Sequence, residues 1–293
     1  MNHMDISAAL RGWDFSPGQV NVRLIRGNDG KPKLQLRLDL GLLQMELNGR
    51  PDGKRPHRSR TELDFQVRKL HRHVTRRGSD AGFSLASSDC QALREESAMF
   101  YHRYLSLFVL EQYEPVIRDT QHNLDVLDIC AKYGRNDYDR MCLEQYRPYI
   151  IMMQTRAKAC EALRQGFVKT SMAYLRGGLK RIARLVPRED RRKALRSSSE
   201  AEILVDMLRQ IRVQLPADPK IVLRKKLRAA ISEERYEEAA ALRDQLMAME
   251  STSANGITMQ KAPMPVADKP QDAVNQQVRK GASRRRKGPE TKE

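Results

Sequence analysis

From residue 87 to about residue 215 apolar side chains return every third or fourth position, and a run of that period is satisfied by the α-helix. The first helix is predicted to open on a Ser88/Gln91 capping pattern and to reach about residue 112, with Leu93, Phe100, Tyr104, Leu107 and Phe108 facing inward. Pro115 suits the first turn of the next, which ends near Tyr133, before Gly134. Asp137 is expected to cap a long helix carrying Leu143, Tyr146, Ile150, Met153 and Ala157, kinked at Pro148. Gly166 separates it from a helix at 167–185 that stops before Pro187. Ser199 with Glu202 opens another, closing before Pro216. Short connections between such helices imply an antiparallel bundle or a helical stack, and no tetratricopeptide signature recurs.

The N-terminal segment has a different period. Val20, Val22 and Leu24 alternate with polar residues, and Asn28-Asp29-Gly30-Lys31 is a turn signal. Leu34, Leu36, Leu38 and Leu40 then alternate with Lys33, Gln35, Arg37 and Asp39, the pattern of a half-buried strand. Gly41 predicts a bulge or bend before Leu43, Met45 and Leu47 resume the alternation. A sheet of two or three strands needs a covering layer. The fold class is therefore α+β, mainly α. A small antiparallel β region with a basic loop spans 1–60, a helical domain 61–215, a helical hairpin 218–250 and a disordered basic tail 251–293.

The 293 residues carry a net charge of +17. The excess is concentrated in three places. The Gly/Pro loop 48–60 holds Arg50, Lys54, Arg55, Arg58 and Arg60. The helix expected at 61–76 has a Leu63, Val67, Leu70, Val74 stripe and shows Arg68, Lys69, Arg72, Arg76 and Arg77 on its other face. The tail holds Arg284, Arg285, Arg286 and Lys287. Such clusters suit polyanions; only Phe65 and Phe83 lie near them, so the rings that stack single-stranded bases are missing, and weak, non-specific duplex binding at low salt, fading at physiological salt, is expected.

No stretch of about 18 apolar residues occurs, and the N-terminus lacks the pattern of a signal peptide, so a cytoplasmic protein with no membrane contact is expected. Cys90, Cys130, Cys142 and Cys160 fall in helical patterns without a C-x-x-C pair, which argues against zinc and disulfides. His71 and His73, two apart on a helix, cannot chelate one metal. No phosphate loop, zinc-protease or nucleophile-elbow motif is present. The expectation is a non-enzyme without metal or cofactor.

Residues 218–250 are the most informative. Asp218 and Pro219 suit a helix start. Leu223, Leu227 and Ala230 with Ile231 form one stripe, and Glu233-Glu234-Arg235 makes a turn. Tyr236 begins a second helix with Ala239, Leu242, Leu246 and Met249 on its stripe, and the small Ala239, Ala240 and Ala241 let two backbones approach. Cations (Arg224, Lys225, Lys226, Arg228) sit on the first helix. Acids (Glu233, Glu234, Glu237, Glu238) gather at the turn and the second helix's start, where the helix dipole favours them.

This stretch resembles the UVR motif, the helical hairpin of the excision-repair subunits UvrB and UvrC. Tyr236, Glu237, Ala240, Ala241, Leu242, Arg243, Asp244 and Leu246 carry the likeness, behind Leu223, Leu227 and Ile231. The helicase and nuclease motifs of those subunits are absent. Similar hairpins occur in regulators of Clp proteases, whose C-x-x-C sites are absent too. The resemblance implies protein–protein contact, with the hairpin pairing with another hairpin through Leu223, Leu227, Ile231, Tyr236, Ala239, Leu242, Arg243 and Leu246. The partner is then the chain's own helical body, a second copy or another protein. An accessory factor in nucleotide excision repair and an adaptor of a protease or kinase complex are the rival readings.

Overall fold

The period-two segment forms a three-stranded antiparallel sheet in the order β1 (Asn21–Arg26), β2 (Pro32–Arg37), β3 (Leu42–Glu46). The structure, a computed structural model, describes residues 6–214 and 219–256. It divides into two units, residues 1–215 and 216–293. In the first, Gly30 at φ 74° closes the β1–β2 turn, where the Gly27 N–H donates to the Lys31 carbonyl at 2.8 Å.

β2 is covered on both faces, not half-buried. Leu34 and Leu36 enter the helical core. On the opposite face Gln35 accepts from Arg23 Nε at 2.8 Å and donates to Gln44 at 2.9 Å, while Lys33 pairs with Asp29 and Glu46. The alternation also ends earlier than its pattern suggests. Leu38 and Gly41 exchange backbone hydrogen bonds and close a tight turn, which leaves Leu40 92% exposed. Gly41 thus reverses the chain and does not bulge a strand. Bringing β3 beside β2 requires that reversal, and it overrides the leucine pattern.

After the single turn α1 (Ser7–Leu10), the first unit is completed by α2 (Glu62–Arg77), α3 (Ser87–Val109), α4 (Tyr113–Tyr133), α5 (Asp137–Met141), α6 (Arg147–Arg164), α7 (Val168–Ala183), α8 (Arg191–Ser197) and α9 (Ser199–Gln214). Leu93, Phe100, Tyr104 and Leu107 of α3 are buried as their spacing requires. One cluster joins β2 and β3 to α3, α4, α6, α7 and α9; a second joins α2 to α3 and α4. A Cβ at Gly178 would collide with Thr155, so this glycine lets α6 and α7 approach closely.

Several expected helix ends move. Ala86, not Ser88, precedes α3, and the Asp89 carboxylate accepts the Ala86 N–H at 3.1 Å. Asn136, not Asp137, caps α5 by accepting the Asp139 N–H at 2.8 Å. Ser198 accepts the Ala201 N–H at 3.1 Å, one residue before the expected cap of α9. The expected kinked helix from Asp137 is broken. Between α5 and α6 lie Cys142, outside any helix, and a 3₁₀ turn at Glu144–Tyr146, and Pro148 sits in the first turn of a new helix, where its missing N–H costs nothing. α8 has no forecast counterpart.

Two buried carboxylates tie the layers. Arg103 and Asp119, each fully buried, form a two-pronged pair at 2.6 and 2.8 Å between α3 and α4. Arg103 Nη1 also donates to the carbonyls of Glu46 at 2.9 Å and Gly49 at 2.8 Å, binding the end of β3. Glu96 of α3, fully buried, accepts the N–H groups of Glu62 at 2.7 Å and Leu63 at 3.1 Å, and the Thr61 side chain accepts that of Asp64 at 3.0 Å. Three donors that a helix start leaves unsatisfied are thereby met. Burial pushes the Glu96 carboxyl up, but hydrogen bonding to His122 and to these two backbone groups outweighs it and holds the carboxyl below its usual value.

Asp119→Ala should destabilise the first unit by about 3–5 kcal/mol in urea unfolding, because it strands a buried guanidinium. Replacing both partners with apolar residues should remain costly, since the Glu46 and Gly49 carbonyls lose their donor at ~1–3 kcal/mol each; near-neutral behaviour of the double variant would contradict this role. A depressed carboxyl contributes stability above its unfolded value of 4.5 and loses it as pH falls through the folded value. Thermal midpoints should therefore drop on acidification below about pH 4.5, and Glu96→Gln should drop less steeply over the same window.

Candidate interaction surfaces

In the second unit, α10 (Pro219–Ser232) and α11 (Tyr236–Gly256) form the expected hairpin, and α11 runs six residues past the expected start of the tail. The reversal is a backbone device. Glu234 stands at φ 58°, the Arg235 N–H reaches back to the Ala230 carbonyl at 2.9 Å, and the Glu234 N–H reaches Ile231 at 3.2 Å. This is the paired closure that commonly ends a helix, with glutamate where glycine is usual. Glu111 at φ 56° ends α3 in the same way, through the Gln112 N–H to Leu107 at 2.9 Å and the Glu111 N–H to Phe108 at 3.1 Å. Arg235 pairs with both Glu233 and Glu238, which pins the turn to the start of α11.

The hairpin core is thin. Ala230, Ala239 and Leu242 are buried, with Leu223 and Leu227 packed partly against them. Ala240 and Ala241 are exposed, so close approach rests on Ala230 and Ala239. Leu246 is half-buried, and Arg243 is exposed beside Asp244 at 3.0 Å. Ile231, Met247 and Tyr236 are 53%, 62% and 68% exposed, and Val222 is 36% exposed. The eight expected contact residues thus split between the hairpin's own interior and its outer surface. Asp218 lies outside the described residues.

The basic loop and helix α2 meet in the first unit. Arg50 is drawn inward, with Asp52 at 3.2 Å and Glu96 at 3.7 Å, so it serves the fold instead of the surface. Lys54, Arg55, Arg58 and Arg60 are exposed, as are Arg72, Arg76 and Arg77, and none of these seven makes an ion pair among the described residues. Lys69 pairs with Asp89 at 3.0 Å and Arg68 bonds Ser59. Two concavities flank Arg72. One is lined by Lys69, Arg72, His73, Arg76, Arg77 and Phe83, the other by His57, Phe65, Arg68, His71 and Arg72. Arg284, Arg285 and Arg286 lie outside the described residues. Sequence reasoning missed His57 and Phe65 as a pair, because a loop residue and a helix residue eight positions apart carry no spacing signal.

Among the described residues no group of His, Cys, Asp or Glu is arranged to hold a metal, and no helix is long and apolar enough to cross a membrane. Compared with known families, residues 221–252 match the UvrB/uvrC motif. No curated protein and no solved structure matches the chain.

Glu234→Gly should stabilise the hairpin by about 0.5–1 kcal/mol: relief of a left-handed L-residue is worth ~1–2, and the added freedom of the unfolded chain takes some back. Amide hydrogen exchange across residues 223–246 of the full chain should slow by a few-fold. Faster exchange would refute the closure assigned to Glu234.

Proposed function

We propose that the chain is a non-catalytic interaction protein that docks a partner through its UVR-type hairpin. The observation that carries this reading is the hairpin's thin interior beside an exposed apolar set, Val222, Ile231, Tyr236 and Met247. Two helices of this length, with three buried side chains between them among the described residues, are marginal alone, and elements below about 40 residues usually require outside support. Burying Ile231 or Met247 against a partner would contribute about 1.5–3 kcal/mol each. A second amphipathic hairpin fits best, since Tyr236 and Met247, eleven positions apart, share one face of α11 that a like face would cover in a four-helix bundle. The match at 221–252 supports the same reading, because that motif is an interaction motif.

The non-catalytic part rests on where the perturbed acids are used. Glu96, Asp89 and Asp139 are all held below their usual range, and each is engaged as an acceptor for helix starts or neighbouring side chains. Their hydrogen-bonding capacity is committed to the fold, so none of these three is free to exchange a proton with a substrate.

Light scattering of the full chain and capture from cell extract should both register association. Ile231→Asp and Met247→Asp, at exposed positions, should leave helical content intact and weaken association about tenfold or more apiece. Association unchanged in both variants would remove the hairpin from the interface.

A further inference from the structure

The α2 face combines charge with aromatic rings, and the rings decide what kind of polyanion it suits. In one concavity His57 stacks on Phe65, with ring centroids 4.0 Å apart and planes 19° apart. Phe65 covers one side of His57, whose side chain is nevertheless 55% exposed, so the imidazole forms the outer surface of a two-ring platform. Its backbone is held at φ 50°, and Arg58 follows at φ 57°. Two successive non-glycine residues in the left-handed region are unfavourable, and such strain persists where surrounding structure imposes it. In the other concavity Phe83 lies edge-on to His73 and Tyr133, and the His73 Nε2–H donates to the Ala81 carbonyl at 2.9 Å, which fixes the ring. Arg72 borders both concavities, and Arg76 borders the second.

From this juxtaposition we infer that the α2 face is a binding site for single-stranded nucleic acid. One base stacks on His57 over Phe65, another lies against Phe83, and the intervening phosphates meet Arg72 and Arg76. A duplex offers phosphates to the same cations but keeps its bases stacked inside, so it gains nothing from recessed rings; a single strand gains from both. Base–aromatic stacking is indifferent to sequence, so the site takes strands of mixed composition. The surface lies in the first unit and is independent of the hairpin proposal.

The test is fluorescence anisotropy of the full chain with labelled DNA and RNA single strands of about 15 nucleotides, against a duplex of equal length, over a salt series. Both single strands should bind more tightly than the duplex. His57→Gly removes the outer ring while relieving the left-handed backbone, so it keeps the fold; it should weaken single-strand binding about tenfold and leave the duplex unaffected. Phe83→Leu should act alike, with thermal melting to confirm folding. Arg72→Gln with Arg76→Gln should lower the single-strand salt slope by about 1.4. Photocrosslinks should fall within residues 57–83. Equal duplex binding with no effect of His57→Gly, crosslinks confined to the C-terminal arginines, or no binding at low salt would overturn the assignment; preference for one of the two single strands would identify the natural ligand as DNA or RNA.

Discussion

A guanidinium without solvent is tolerable only if its N–H groups find acceptors, and Arg103 finds them on two separate pieces of chain: the Asp119 carboxylate on α4, and the carbonyls of Glu46 at the end of β3 and Gly49 just after it. The sheet is too small to hold itself, and the helices need a layer to pack on. Arg103 fixes the distance and angle between the two. Arg118 closes the arrangement from outside, bonding Asp119 at 2.9 Å, the Leu47 carbonyl at 2.8 Å and Asn48 at 3.0 Å. The apolar cluster supplies the driving force, and the buried pair selects which packing that force produces.

Elements with a local cause were legible in the sequence. The hairpin expected at 218–250 and the helices α2, α3 and α4 follow from apolar spacing, and the β1–β2 turn from its Asn-Asp-Gly run. The misreadings have non-local causes. Leu40 fits a strand pattern yet sits on a turn, because β3 must return beside β2. Pro148 reads as a kink in one helix and proves to be the start of another. The polar side of β2 reads as solvent-facing but is sealed by Arg23, Gln44 and Glu46 from neighbouring strands. Both non-glycine helix closures, at Glu111 and Glu234, leave no compositional trace.

The candidate surfaces divide along the same line. The hairpin could be recognised because its contacts lie within about thirty residues, from Ala230 to Leu242 and from Leu223 onward. The α2 face could be recognised as basic, but not as aromatic, since His57 reaches Phe65 only through the fold of the loop. Arg50 illustrates the converse. Its neighbours suggest a surface cation, and a partner 46 positions away, Glu96, draws it into the interior.

The attachment of α2 to Glu96 has an energetic consequence for the helix's charged face. Cations crowded on one helix repel one another, and a free arm would relax by fraying or swinging outward. With its first three N–H groups held by Glu96 and Thr61 and its Leu63 and Gln66 buried, α2 is anchored at its start and cannot swing outward, and part of the repulsion is retained as tension between like charges in the folded unit. The helix is therefore presented as a rigid rail whose conformational entropy was lost during folding, so an incoming anion has none of it left to remove. It also discharges part of the tension on arrival. Ligand and fold are thereby coupled: whatever neutralises the rail should raise the stability of the unit that carries it.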